Sequence, residues 1–168
     1  MAAGSCWIAK GGAILIAGVQ PPVLFEVAPL LMAVAVVGLA RQLPVSRVRA
    51  VAVTLGVIAL AVATPVVADE VTSLPRMVTG AGMALAQICV VVGLAVAGWP
   101  LRRRQRAVLP LALATATVPA IVLGGLLMAV LGERALEIPL LALGSGWIVL
   151  GAHLARGRYS PGGAEVSG

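Results

Sequence analysis

The sequence predicts an all-α membrane protein, a polytopic bundle of transmembrane helices, and three observations support this prediction. Hydrophobic residues make up 61% of the 168 residues and charged residues only 11%. A soluble domain has about 25% charged residues, so this chain has too few polar groups to cover a water-facing surface. Several uncharged runs reach the roughly 20 residues that an α-helix needs to cross the hydrocarbon core of a bilayer. Charged residues and prolines separate these runs.

Four spans are clear because charges or prolines bound an uncharged stretch on both sides. The third of them, for example, follows the arginine-rich segment after Pro100 and ends before Glu133 and Arg134. Each of the four is close to the length of one membrane crossing. They are predicted at residues 50–68, 77–99, 107–131 and 138–155.

The first 40 residues allow two interpretations. Lys10 and Glu26 interrupt the apolar stretch, and Pro21 and Pro22 stand together in its middle. Two consecutive prolines remove two backbone donors and disfavour helix just before them. We therefore expect a tight hairpin between short spans at about 3–19 and 23–40, which gives six spans. The alternative is one kinked helix from about 12 to 40, which gives five.

The arginines indicate how these spans are oriented. Cytoplasmic loops of membrane proteins carry an excess of Lys and Arg. With the N-terminus inside, the loops at 41–49 and 100–106 and the tail from 156 carry nine arginines, whereas the opposite side receives only Arg76 and Arg134. We expect a bacterial cytoplasmic membrane protein with both termini in the cytoplasm. Residues 1–158 are then a single bundle, and 159–168 a disordered cytoplasmic tail.

Ionisable residues within a span are expensive, so Lys10 and Glu26 are candidate functional residues. Lys10 has two interpretations: an ion pair with Glu26 on the neighbouring helix, or a position at the cytoplasmic edge of a helix that begins later. We expect the edge. Glu26 is expected to be an interfacial carboxylate near the outer end of the second span. The alternative is a proton or cation site.

Mid-membrane polar residues form a second candidate group. Gln87 is expected to form a hydrogen bond across helices, an interaction of about 0.6 kcal/mol on average. Pro119 frees the carbonyl of Thr115 and predicts a kink in the fifth span. The hydroxyls of Thr115 and Thr117 can satisfy backbone groups there. We expect a packing role, and the alternative is a transport site at a broken helix.

Arg102, Arg103, Arg104 and Arg106 form the densest run of charge. Such a run beside a span fixes topology, and we expect that role. The alternative is binding of anionic lipid headgroups, to which each basic residue near the surface contributes about 1 kcal/mol.

Catalytic and metal chemistry lack candidates in the sequence. His153 is the one histidine, and Cys6 and Cys89 fall on different spans, so these residues do not form a metal-ligand set. Ser145 and His153 share a helix about 12 Å apart along its axis, too far for a Ser–His hydrogen bond. The sequence therefore predicts no enzyme, no metal site and no cofactor.

Two classes of function stay open. The first is a structural or accessory subunit of a membrane complex, whose partners are the lipid bilayer and another membrane protein. The alternative is a small transporter or channel with a site near the fifth helix. We expect no nucleic-acid partner, and the sequence leaves the oligomeric state open.

Overall fold

The computed structural model describes residues 1–19, 21–44, 46–72, 76–104 and 108–156, without the side chains of 22–26, 68–72, 76–79 and 104. The predicted disordered tail at 159–168 lies outside the described residues. Within the described ranges the chain forms six α-helices and one short 3₁₀ helix, and no strand. They are α1 (Ala2–Ala17), α2 (Pro22–Arg41), α3 (Arg47–Thr72), α4 (Arg76–Arg104), α5 (Leu109–Leu131), the 3₁₀ helix (Glu133–Leu136) and α6 (Glu137–Ala155).

The all-α prediction is confirmed, and the apolar helices are compatible with a membrane protein. Four helical segments are long and apolar enough to cross a membrane. They are Arg47–Val67, Gly80–Arg103, Leu109–Leu131 and Glu133–Ala155. Helix α1 has 16 residues, fewer than a typical crossing needs, whereas α2 has 20 residues, of which Val27–Arg41 form the apolar part with described side chains. Six membrane crossings therefore remain a prediction.

The interpretation of residues 12–40 as one kinked helix is wrong, because α1 ends and a separate helix, α2, begins within this range. Gly18 adopts a left-handed conformation (φ 69°), and its N–H donates to the carbonyl of Ile14 at 3.0 Å. A left-handed glycine is a common helix terminator because it has no Cβ to clash. Pro21 is extended (φ −71°, ψ 113°), and Pro22 begins α2, where a missing N–H costs nothing.

The helices are arranged so that each packs against the next along the chain, and α6 returns to contact α1. Helix α2 also contacts α4 and, to a small extent, α6. Seven of the described side chains of α2 are fully or almost fully buried for this reason. They are Ala28, Pro29, Met32, Ala33, Val36, Leu39 and Ala40.

Neighbouring helices run in opposite directions where close glycine contacts fix their register. Gly82 of α4 faces Val62 and Val66 of α3, and Gly93 faces Ala52 and Leu55. This arrangement gathers the charges at two ends. The basic end carries Arg41, Arg47, Arg49, Arg102, Arg103 and Arg156, and the acidic end carries Glu133, Arg134 and Glu137. Which end faces the cytoplasm stays a prediction.

Helix α5 is the most exposed of the four long apolar segments, because only 17% of the residues in its apolar 18-residue stretch are buried. Its outer face presents large apolar side chains such as Val118, Leu126 and Val130, which are 62%, 62% and 80% exposed. A helix with so broad an apolar surface fits a lipid environment, because water would leave this surface unfavourably solvated.

Candidate functional site

Helices α1 and α6 pack along two rows of residues spaced seven apart. The α1 row is Gly4, Gly11 and Gly18, and the α6 row is Glu137, Gly144 and Gly151. A seven-residue interval keeps a row on one face of helices that wrap around each other with a left-handed supercoil. Gly4 lies against Gly144, and Gly151 lies against Met1, so the two helices are antiparallel. We call this contact the glycine seam.

The glycine seam brings the two backbones into direct contact. A Cβ atom built on Gly4 would overlap the Gly144 carbonyl oxygen and would lie 2.7 Å from the Ile148 backbone nitrogen. Both are backbone atoms, which cannot rotate away. Small residues at such crossings let membrane helices approach closely, and this gain in packing replaces the hydrophobic effect that lipid does not supply.

A buried ion pair lies along the glycine seam. The Lys10 Nζ of α1 donates to Oε1 of Glu137, the first residue of α6, at 3.2 Å. Lys10 is 9% exposed and Glu137 5%. The adjacent Gly11 leaves room for this contact, since a Cβ there would lie 3.4 Å from the other Glu137 carboxylate oxygen, Oε2. Two opposite charges can be buried together only when each neutralises the other.

The expectation that Lys10 lies at the edge of its helix is wrong. It lies inside α1, seven residues before Ala17, or about 10 Å along the axis from that end. A lysine stem can reach an interface from a shallow position, but here the ammonium turns toward a neighbouring helix instead. The structure shows Glu137 as its carboxylate partner. The side chain of Glu26, the partner considered from sequence, lies outside the described residues.

A cavity of about 460 Å³ adjoins the ion pair at the acidic end. It lies between the end of α1, the end of α5 and the turn that leads into α6. Its lining is Ile14, Gly18, Met128, Glu133, Arg134, Leu136 and Glu137. Glu137 therefore belongs both to this cavity and to the buried pair. We call it the acidic-end cavity.

The acidic-end cavity carries charges of both signs. Two carboxylates (Glu133 and Glu137) and one guanidinium (Arg134) line it, and the Lys10 ammonium paired with Glu137 balances the remaining negative charge. The Arg134 guanidinium packs against Gly18, where a Cβ would overlap its Nη2 atom. That position is the C-terminal end of α1, whose free carbonyls attract a positive charge. The positive charge of Arg134 is therefore stabilised by the C-terminal end of α1. Glu137 faces both Lys10 and the cavity.

The polar residues predicted on α5 do not join this site. Thr115 Oγ1 donates to the Leu111 carbonyl at 3.0 Å, and Thr117 Oγ1 donates to the Leu113 carbonyl at 2.8 Å. Both hydroxyls therefore bond to backbone carbonyls of α5, as predicted, and the carbonyls are those one turn earlier in the helix. Pro119 lines an apolar groove of about 470 Å³ between α5 and α6.

The remaining candidates lie apart from the ion pair. Gln87 is half-buried, and its predicted hydrogen bond across helices stays a prediction. At the basic end the guanidiniums of Arg102 and Arg103 lie 4.3 and 5.8 Å from the centre of the Trp99 ring. The Arg104 side chain and Arg106 lie outside the described residues.

The other described polar groups are not arranged as a catalytic or metal-binding site. Ser145 Oγ donates to the Leu141 carbonyl of its own helix at 3.0 Å. Among the described residues, no group of three or more His, Cys, Asp or Glu could hold a metal ion. The ion pair with its cavity is therefore the one place in the described bundle where opposite buried charges meet a polar cavity.

Sequence reasoning missed Glu137, which it placed in an outer loop just before the sixth span. The seven-residue row through Glu137, Gly144 and Gly151 was the available signal, together with the matching row on the first helix. Matching rows on two helices indicate a shared interface. Lys10 precedes Gly11 of the first row, and a buried lysine beside such an interface favours a carboxylate on the facing helix.

These features define an all-helical protein of apolar helices with a polar site at one interface. Comparison of the chain with protein-family models, with curated proteins and with solved structures finds no match. Its function must therefore be inferred from its own residues and geometry.

Proposed function

We propose that this chain is a small membrane transport protein, and that the acidic-end cavity admits a small cation to Glu137. The observation that carries the proposal is the double role of Glu137. Its carboxylate lines the cavity and also holds the buried ammonium of Lys10. Ionisable groups inside membrane helix bundles commonly mark ion or substrate pathways.

A compact organic cation is the substrate class that the lining favours. A volume of about 460 Å³ falls within the range of small-molecule sites. The exposed Glu133 carboxylate attracts a cation, and Ile14, Met128 and Leu136 provide apolar contacts beside the carboxylates. A substituted ammonium ion has both a positive charge and an apolar surface, so it matches this lining better than a bare metal ion.

The geometry suggests how such a cation would act. A cation that binds Glu137 competes with Lys10 for the same carboxylate, since Oε1 already accepts from Nζ. Loss of the Glu137 carboxylate from a buried lysine is unfavourable. The favourable response is a movement of α1 relative to α6. The glycine seam lies between the acidic-end cavity and the basic end, and its backbone contacts separate these two ends of the bundle. A movement of α1 relative to α6 would open the seam.

Flux measurements in liposomes test this proposal. The purified chain is reconstituted, and uptake of a radiolabelled small quaternary ammonium ion is compared with uptake of chloride and of an uncharged solute of similar size. We expect saturable uptake of the cation only. Absence of cation uptake in either membrane orientation would contradict a transport function.

The matched variants are Glu137→Gln and Glu133→Gln. Both carboxylates line the cavity, but only Glu137 holds Lys10. We expect Glu137→Gln to abolish saturable uptake, and Glu133→Gln to raise KM while leaving most of the maximal rate. Equal effects of the two variants would show that the cavity acts only through its total charge.

The accessory-subunit hypothesis is the second candidate, and the exposure of α5 favours it. Of the four long apolar segments, α5 has the smallest buried share, 17%, and its large exposed apolar side chains are open to a partner helix. Gentle-detergent purification at native expression, followed by mass spectrometry, tests this hypothesis. A stoichiometric partner that is lost with Leu126→Arg would support it, whereas recovery of the chain alone would contradict it.

We also propose a bacterial cytoplasmic membrane as the location, the basic end facing the cytoplasm, and no enzymatic activity. The arginines gathered at one end support the orientation. The hydroxyls of Ser145, Thr115 and Thr117 each bond to a carbonyl of their own helix, which leaves them poorly placed as nucleophiles.

A further inference from the structure

A second cavity, of about 510 Å³, lies at the basic end where α2 ends and α3 begins. Its lining combines two arginines, two hydroxyl side chains and two small or branched apolar side chains. They are Arg41, Arg49, Ser46, Thr54, Ala50 and Val53. The two arginines come from different helices, so the connection between α2 and α3 brings them to one cavity. We call it the basic-end cavity.

No described carboxylate neutralises either arginine of the basic-end cavity. Arg41 is exposed and Arg49 is half-buried, and neither forms an ion pair with a carboxylate in the described part of the chain. Lys10 and Glu137, by contrast, neutralise each other. Two unneutralised guanidiniums that share one cavity create a strong local attraction for an anion.

Ser46 is held in position at this cavity. Its Oγ accepts a hydrogen bond from the Arg49 backbone N–H at 3.3 Å, and its carbonyl accepts from the Ala50 N–H at 3.1 Å. A serine in this arrangement caps the first turn of the helix. Because the Oγ acts there as acceptor, its own hydrogen stays available for an anion oxygen.

We infer that the basic-end cavity binds a phosphate group, with Arg41 and Arg49 as its charge partners and Ser46 as an additional donor. Guanidiniums match phosphate oxygens with paired hydrogen bonds. A phosphate at this position has two sources, the headgroup of an anionic phospholipid and a free phosphate. Ala50 and Val53 favour the lipid, because they give the cavity an apolar wall for the glycerol and acyl chains.

Native mass spectrometry of the full chain tests the inference. The chain is released from nanodiscs that contain equal amounts of phosphatidylglycerol and phosphatidylcholine, and the retained lipid is identified. We expect one phosphatidylglycerol retained in preference to phosphatidylcholine. Each of Arg41→Gln and Arg49→Gln should lower this preference about fivefold, and the double variant about 25-fold.

Arg47→Gln is the matched control, because Arg47 is exposed at the same helix end but does not line the cavity. We expect it to retain the preference for phosphatidylglycerol. An equal loss with Arg47→Gln would show only general attraction of a basic surface, and would overturn the inference. Thermal unfolding of each variant in detergent confirms that the chain is folded.

A competition experiment distinguishes the lipid headgroup from free phosphate as the source of the bound phosphate. Inorganic phosphate is added to the nanodiscs against sodium chloride of equal ionic strength. Retention of phosphatidylglycerol in both salts identifies the lipid headgroup, whereas selective displacement by phosphate identifies a site for free phosphate. A chain that shows neither an arginine-dependent preference for phosphatidylglycerol nor binding of phosphate contradicts the inference.

Discussion

Lys10 of α1 and Glu137 of α6 form an ion pair with an Nζ–Oε1 distance of 3.2 Å across 127 residues of sequence. The pair joins the first helix of the bundle to the last. Because each helix also contacts the next along the chain, this contact closes the ring of helices. The same pair borders the acidic-end cavity, so stability and the proposed transport depend on one carboxylate.

Neutralising one partner of the pair should destabilise the bundle. In Glu137→Gln the Lys10 ammonium loses its carboxylate while buried, a change that typically costs about 3–5 kcal/mol. The double variant Lys10→Met/Glu137→Met removes both charges, and we expect it to be more stable than Glu137→Gln. Thermal unfolding in mild detergent measures both effects.

Glu133→Gln is the control for this prediction, because Glu133 is exposed and forms no ion pair with a described residue. Its unfolding temperature should stay close to that of the wild type. A double variant as unstable as Glu137→Gln would show that the loss comes from packing, and would contradict a role for the charges.

Adding one methyl group to the glycine seam should separate α1 from α6. In Gly4→Ala the new Cβ meets backbone atoms of Gly144 and Ile148, and overpacking of this kind costs about 1–3 kcal/mol. Gly12→Ala is the matched change on the same helix, with nothing within 4 Å of the new Cβ. It should be neutral or stabilising by about 0.5–1 kcal/mol, since alanine favours helix. Equal unfolding temperatures for the two variants would contradict the seam.

The positions of the helices could be predicted from sequence because the signals that set them are local. Uncharged runs and the prolines between them located all six helices within a few residues. The ends were less accurate: α4 runs from Arg76 to Arg104, although its apolar run was predicted to end at Trp99. Hydropathy marks where a chain can lie in lipid, whereas a helix continues as long as its backbone hydrogen bonds are favourable.

The candidate site could not be predicted because it depends on which helices are neighbours. Sequence proximity suggested Glu26 as a partner for Lys10. Closure of the ring places Glu137, from the other end of the chain, beside it, and the pairing with Glu26 stays a prediction because that side chain lies outside the described residues. The seven-residue rows of glycine are visible in the sequence, but their register, Gly4 against Gly144, requires the folded chain.

Gly18 should tolerate no side chain, for two separable reasons. Its φ of 69° costs other residues about 1–2 kcal/mol, and a Cβ would overlap the Arg134 guanidinium. Arg134→Ala is the control background, because it removes the guanidinium contact and leaves the backbone of Gly18 unchanged. We expect Gly18→Ala to lower the unfolding temperature less in the Arg134→Ala background than in the wild type. Equal decreases in the two backgrounds would contradict the contact.

The two ends of the bundle should face opposite sides of the membrane. In a chain with Cys6→Ser and Cys89→Ala, we expect Glu133→Cys in intact cells to react with a membrane-impermeant maleimide. Ser46→Cys should react only after the cells are opened, because the positive-inside rule places the basic end in the cytoplasm. Both positions are exposed, so accessibility within the protein does not distinguish them. The reverse pattern of labelling would contradict the orientation.

Thr115→Val should leave both stability and cation uptake nearly unchanged. The Thr115 hydroxyl is exposed on α5 and donates to the Leu111 carbonyl of its own helix, so it supplies nothing to the acidic-end cavity. Surface substitutions of this kind usually change stability by less than about 0.5 kcal/mol. Uptake in liposomes, compared with that of Glu137→Gln, distinguishes a site at the α1–α6 interface from one at the Pro119 region of α5. If Thr115→Val abolished uptake while Glu137→Gln did not, the transport site would lie on α5.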